Sequence, residues 1–92
     1  MKEVILYQTK SGCNYSFMNY GYAKDKLNMN DYEDVLHFMT NKDLEGIFTI
    51  GNNGELRRIY PDVRFRSISV SDIIEVNGTK YYVDSFGFKE IG

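Results

Sequence analysis

Ser71-Asp72-Ile73-Ile74-Glu75-Val76-Asn77-Gly78-Thr79-Lys80-Tyr81-Tyr82-Val83-Asp84 decides the fold. Asn77-Gly78 supplies the two positive φ angles that a two-residue type I′ turn demands, and β-prone residues flank it on both sides. The turn fixes the register: Val76 faces Thr79, Glu75 faces Lys80, Ile74 faces Tyr81 and Ile73 faces Tyr82. Ile74, Val76, Tyr81 and Val83 therefore share one face, which is the expected core, while Glu75 and Lys80 meet on the other. That places Tyr81 inside and makes Tyr82, beside the charged pair, an expected exposed contact. Downstream, Phe86 and Phe88 alternate across Gly87 as a further strand packing on the same sheet, with Gly87 permitting a bulge or close approach by another chain.

Upstream, Glu3 to Thr9 has a continuous apolar centre, which predicts an inner strand, and Lys10-Ser11-Gly12-Cys13-Asn14 is a turn cluster. Tyr15 to Tyr20 alternates loosely and suggests a second strand, followed by a short helix over 20–27. Tyr32 to Met39 fits two patterns, since Val35, His37 and Met39 alternate with Leu36 and Phe38 while Val35, Leu36, Phe38 and Met39 also form a helical stripe. The strand is preferred. Thr40 or Asn41 can cap a helix over 42–49, with Asp43 and Glu45 in its first turn. After the turn signal Gly51-Asn52-Asn53-Gly54, the residues Leu56, Ile59 and Tyr60 form a short helix or turn that stops at Pro61.

Ninety-two residues with 42% hydrophobic content make one small domain spanning 1–92. Fourteen aromatics beside a single Ala favour sheet over a helical bundle. The expected architecture is α+β: an antiparallel sheet of four to six strands, two or three short helices and the C-terminal Asn-Gly hairpin. An aromatic-rich sheet this small can leave a face uncovered, so a homodimer is among the expectations.

A net charge of −2 fits neither a phosphate-neutralising nucleic-acid binder nor a strongly acidic DNA mimic. One cysteine and one histidine exclude an intramolecular disulfide and a Cys/His zinc site. No cofactor or metal is implied, and the spacing of Asp62, Asp72 and Asp84 matches no calcium loop. No apolar run is long enough for a signal peptide or a membrane span, so the expected compartment is the cytoplasm.

Near-neutrality conceals segregation. All four arginines, Arg57, Arg58, Arg64 and Arg66, fall within ten residues, and against Asp62 they leave +3. Asp31, Glu33, Asp34, Asp43 and Glu45 oppose only Lys42 and leave −4. The arginine fork suits phosphates or a partner's carboxylates, which makes Arg57, Arg58, Arg64, Arg66 and Tyr82 the candidate partner-binding residues and the acidic set a second patch. The competing explanation is a solvated loop whose arginines pair with that acidic segment. Ser67, Ser69 and Ser71 lack a basic partner for nucleophilic catalysis, so Ser71 and Asp72 are assigned to bonding the backbone at the turn that launches the hairpin. His37 is expected to pack or sit at a rim, and Cys13 has no assigned role.

Arg66-Ser67-Ile68-Ser69-Val70-Ser71-Asp72-Ile73-Ile74, a hairpin, and then Asp84-Ser85-Phe86-Gly87-Phe88 resemble the signature of the YodL-like domain, a family common on conjugative elements and phages of Firmicutes. Leu6-Tyr7-Gln8, Phe17 to Tyr20, Tyr32 to Val35 and Leu44 to Phe48 follow its order more weakly. Residues 51–66 depart from it, with Asn52-Asn53-Gly54-Glu55-Leu56-Arg57-Arg58 in place of the usual Phe-Asn and His-Pro elements. The resemblance implies a mobile-element setting, in which small non-catalytic proteins often inhibit host defence. The expected partner is thus a host defence protein, with a Cas9-type nuclease or its guide-RNA complex as the concrete case for an anti-CRISPR protein. The Ser-x-Ser-Asp turn and hairpin are also similar to PUA and ASCH barrels, whose RNA binding would make this a nucleic-acid accessory domain. A structural interaction module without inhibitory action is the third expectation.

Overall fold

A computed structural model describes all residues, Met1–Gly92. Five strands, β1 (Lys2–Thr9), β2 (Tyr32–Thr40), β3 (Ile73–Val76), β4 (Thr79–Val83) and β5 (Phe88–Glu90), form one antiparallel sheet in the order β2-β1-β3-β4-β5. Three short helices, α1 (Tyr20–Ala23), α2 (Leu44–Ile50) and α3 (Glu55–Ile59), and a 3₁₀ turn at Met29–Asp31 lie in the connections. The α+β expectation holds. The apolar run of β1 lies between two neighbours, and the Asn77-Gly78 turn sets the register from Val76↔Thr79 to Ile73↔Tyr82. Both turn residues have positive φ, 48° and 89°.

The sheet is covered on two sides, where the sequence suggested one. On the first face Val4, Leu6, Leu36, Phe38, Ile74 and Val83 pack against Ile47 and Ile50 of α2, Leu56 of α3 and Ile68. On the second, Ile73 and Tyr82 pack with Tyr15, Ala23 and Tyr32. A register shift makes this possible. Between Leu6 and Tyr7 the pairing jumps from Leu36 to Asp34, so Val35 is an extra residue in β2. Leu36 and Phe38 point to the first core and Tyr32, beyond the bulge, joins the second. The same extra residue explains why Val35 and Leu36 stand side by side in the helical stripe of this strand's sequence, whereas Met39, at the stripe's other end, is exposed.

Several local expectations need correction. No strand forms over Tyr15–Tyr20: residues 15–17 lie in turns, with Phe17 at a left-handed φ of 66° that no strand allows, and α1 begins at Tyr20. Asp43, not Thr40 or Asn41, caps α2, its carboxylate accepting from the Gly46 amide at 2.8 Å. Tyr81 is only half-buried, whereas Tyr82 is buried completely. Phe86 does not pack on the sheet: it stands 96% exposed in the loop between β4 and β5. His37 points outward from β2 and contacts Asp34 at 3.1 Å.

Gly51, which ends α2, is required for space. A Cβ there would overlap Cδ1 and Cγ1 of the buried Ile68 side chain. G51A should therefore lower stability by about 1–3 kcal/mol through overpacking. Adding Ile68→Val, which removes the Cδ1 atom, should recover part of the loss, so that the double variant in urea denaturation is more stable than additivity allows.

Candidate binding face around Arg66

The turn that launches the hairpin is a β-bulge. Ser71 and Asp72 together oppose Val83: the Ser71 amide donates to the Val83 carbonyl at 2.9 Å, and the Val83 amide donates to the Asp72 carbonyl at 2.8 Å. In this type of bulge the first residue is left-handed and usually glycine; here it is Ser71, with φ 87°. The hydroxyl gives a reason for serine. Ser71 Oγ accepts the Phe17 amide at 2.8 Å, and the Ser71 carbonyl accepts the Tyr32 hydroxyl at 2.6 Å. Two strained non-glycine residues, Phe17 and Ser71, are thus held together by one partly buried hydrogen bond.

Asp72 is 1% exposed. Its Oδ2 accepts the Ser69 amide at 2.9 Å and the Gln8 side-chain amide at 3.1 Å, as the sequence suggested for a backbone-bonding turn residue. Its Oδ1 has no hydrogen-bond partner. Burial pushes the carboxyl up to about 6, opposed by the bonds from Ser69 and Gln8 and by the charge of Arg66. Gln8, 3% exposed, meets the Arg66 backbone twice: its Nε2 donates to the Arg66 carbonyl and its Oε1 accepts the Arg66 amide, each at 2.9 Å. A side chain of β1 thereby pairs residue 66 as a neighbouring strand would.

What this buried network holds in place is exposed. Arg66 lays its guanidinium over the Phe17 ring, 5.4 Å from the centroid, and donates from Nη2 to the Thr9 carbonyl at 3.3 Å. Phe17 is 58% exposed. Arg57 sits 6.0 Å above the Phe65 ring and reaches Ser67 Oγ at 3.5 Å. Arg64 and Arg66 line one groove with Glu33, on the side of the face nearest β2. Arg58 is exposed on α3 and makes none of these contacts.

The arginines do not pair with the acidic segment. The acidic side chains that meet a basic one are Glu75, paired with Lys80, and Asp34, hydrogen-bonded to His37, and all four arginines are exposed without a carboxylate within 4 Å. Nor is the acidic set one patch. Asp31, Glu33 and Asp34 lie near the start of β2, whereas Asp43 and Glu45 lie beyond its far end at the start of α2. Asp31 accepts the Tyr15 hydroxyl at 2.9 Å and Asp43 caps its helix, which leaves Glu33 and Glu45 as acids without a recorded partner.

Tyr82 cannot contact a partner directly. Its ring packs edge-on against Tyr20 with centroids 5.5 Å apart, its hydroxyl donates to the Met18 carbonyl at 2.7 Å, and burial raises its pKa well above the usual range. The sequence assigned it to the surface because nothing in the pattern of residues 10–31 revealed a second covering layer. Gln8 and Phe17 are not evident from the sequence as parts of this face; the one available signal is Gln8 on the inward parity of an apolar strand, where a polar group needs an internal partner. No cluster of three or more His, Cys, Asp or Glu converges as a metal site, and no helix is long and apolar enough to cross a membrane.

These features define a small α+β domain in which buried polar contacts support an exposed arginine–phenylalanine face. The chain belongs to the YodL-like domain family, whose model matches residues 3–92. No curated protein and no solved structure matches it significantly.

Asp72 imposes a pH dependence on stability. Its folded pKa, about 6, lies above the ordinary 3.8, so its contribution favours the folded state below about pH 4 and is lost as pH rises through 6. The shift corresponds to about 3 kcal/mol. Asn keeps an oxygen for Ser69 and Gln8 but does not titrate, so the stability of the native chain minus that of D72N should fall by about that amount between pH 4 and pH 7 in urea melts. A difference that stays constant with pH would contradict the assignment.

Proposed function

We propose that this protein is a non-catalytic inhibitor carried by a mobile element, which acts in the cytoplasm by binding a host defence effector through its arginine–phenylalanine face. The observation that supports binding is the set of four exposed arginines without carboxylate partners, two of them stacked on phenylalanine rings. Unpaired guanidinium groups lose no existing ion pair when they meet a partner's acidic groups, and ring stacking restricts their motion beforehand. The defence setting comes from the mobile-element context of the family. A Cas9-type nuclease is the first effector to test.

Glu33 favours a protein over free nucleic acid as the partner. It sets one carboxylate between Arg64 and Arg66 in the groove, a mixed-charge pattern that a protein surface offering charges of both signs matches better than a uniformly anionic backbone. A nucleic-acid accessory domain is the reading that the same experiment can favour instead. In pull-downs from a host carrying a nuclease-based defence, the native chain should retain the effector, and R57A/R58A/R64A/R66A should lose at least about 2 kcal/mol of binding, or roughly thirtyfold in affinity, with its melting temperature little changed. Undiminished capture by the quadruple variant, or no captured effector, would refute the proposal. Direct binding to RNA or DNA that falls steeply between roughly 50 and 200 mM salt would favour the nucleic-acid reading.

A further inference from the structure

Next to the Arg66–Phe17 stack lies a depression that differs from the groove containing Glu33. It is lined by the Lys10-to-Cys13 turn, Ser16, Phe17 and Arg66, and no carboxylate lines it. Lys10 and Arg66 are both exposed and neither is in an ion pair. Arg66 gives one donor to the Thr9 carbonyl, which leaves other edges of the guanidinium fork free. Ser11 adds a hydroxyl without a recorded partner, while the Ser16 hydroxyl is held at 2.7 Å by Thr9 Oγ1.

The anchor is rigid for reasons that lie beneath it. Phe17 is fixed in a left-handed conformation by its bond to buried Ser71, and Arg66 is fixed at both backbone groups by buried Gln8. Backbone strain of this kind costs on the order of 1–3 kcal/mol and persists where surrounding structure enforces it. Here it turns a large apolar ring toward solvent, beneath a cation, at the rim of an uncharged-to-cationic hollow. A ring buried in the core would need no such arrangement.

We propose that this hollow is a carboxylate-binding subsite: a Glu or Asp side chain on a loop of a protein partner enters it, its two oxygens taking the Arg66 fork and the Lys10 ammonium, while its methylene stem rests on the Phe17 ring. The occupant is a single side-chain anion on a protein chain, because the neighbouring groove, which shares Thr9 and Arg66 with this hollow, carries Glu33, so an extended polyphosphate running through both would meet a carboxylate where one Glu or Asp side chain would not. Gln8 and Ser71 are positioning residues. The proposal deepens the binding function proposed above by assigning partner chemistry to one subsite, and its test uses no defence effector, so either can fail alone.

The full chain, labelled with ¹⁵N, is titrated with the blocked peptide acetyl-Gly-Glu-Glu-Gly-amide, with its Gln-Gln counterpart, with inorganic phosphate and with octathymidylate. The glutamate peptide should shift the Arg66 side-chain Nε resonance and the amides of Lys10 to Cys13 and Phe17, and the glutamine peptide should not. R66K should weaken binding by about fivefold, since an ammonium cannot hold Thr9 and present a fork together. F17A/R66A should abolish it, while K24A/K26A, which removes positive charge elsewhere, should leave it unchanged. S71G, which keeps the bulge but frees Phe17, should retain the fold and weaken binding. Equal shifts with both peptides, no response, or unaltered binding by F17A/R66A would overturn the proposal. Tighter binding of phosphate or octathymidylate than of the glutamate peptide would overturn the carboxylate assignment.

Discussion

The carboxylate of Asp72, held by the Ser69 amide and the Gln8 side chain at the end of the sheet, is the interaction on which most else depends. It closes the turn that starts the hairpin, and through Gln8 it fixes residue 66 to β1. Removing one member of such a network leaves the others buried and unpaired, a cost that normally exceeds the worth of the bond itself. A tightly specified geometry results at a surface where an irregular segment, residues 60–70, would otherwise be free to move.

Exposed and buried parts of the site have separate tasks. Arg66, Phe17 and Lys10 are available to a partner, while Gln8, Ser71 and Asp72 determine where those side chains stand. The division lets the exposed set change without loss of the fold, because each exposed residue is held through its backbone: Phe17 by its amide, Arg66 by its amide and carbonyl. It also accounts for arginine rather than lysine at position 66, where the side chain must bond Thr9, cover a ring and still offer donors.

Much of the fold was legible in the chain. Asn77-Gly78 specified a hairpin register residue for residue, and the apolar run of β1 announced an inner strand. The misplacement of Tyr82 has a physical cause. Tyrosine is amphipathic, and alternation cannot reveal whether it faces water or a second layer that satisfies its hydroxyl, as Tyr82, Tyr15 and Tyr32 do here. That layer is made by residues 11–31, which have little regular structure and hence no period. The site was legible in its charges and not in its geometry: the arginines were evident as a run, but Phe17 and Gln8 join them only through contacts spanning about fifty residues of sequence.

The extra residue in β2 sets how this chain can vary. Because Val35 shifts the strand by one, Tyr32 and Leu36 serve opposite cores although an even number of positions separates them. Substitution at position 35 changes one half-buried side chain; deletion would rotate Tyr32 and the residues before it out of one hydrophobic layer and toward the other. Length at this point is therefore more constrained than chemistry, and relatives that retain the two-layer arrangement should differ here in residue type while keeping the count.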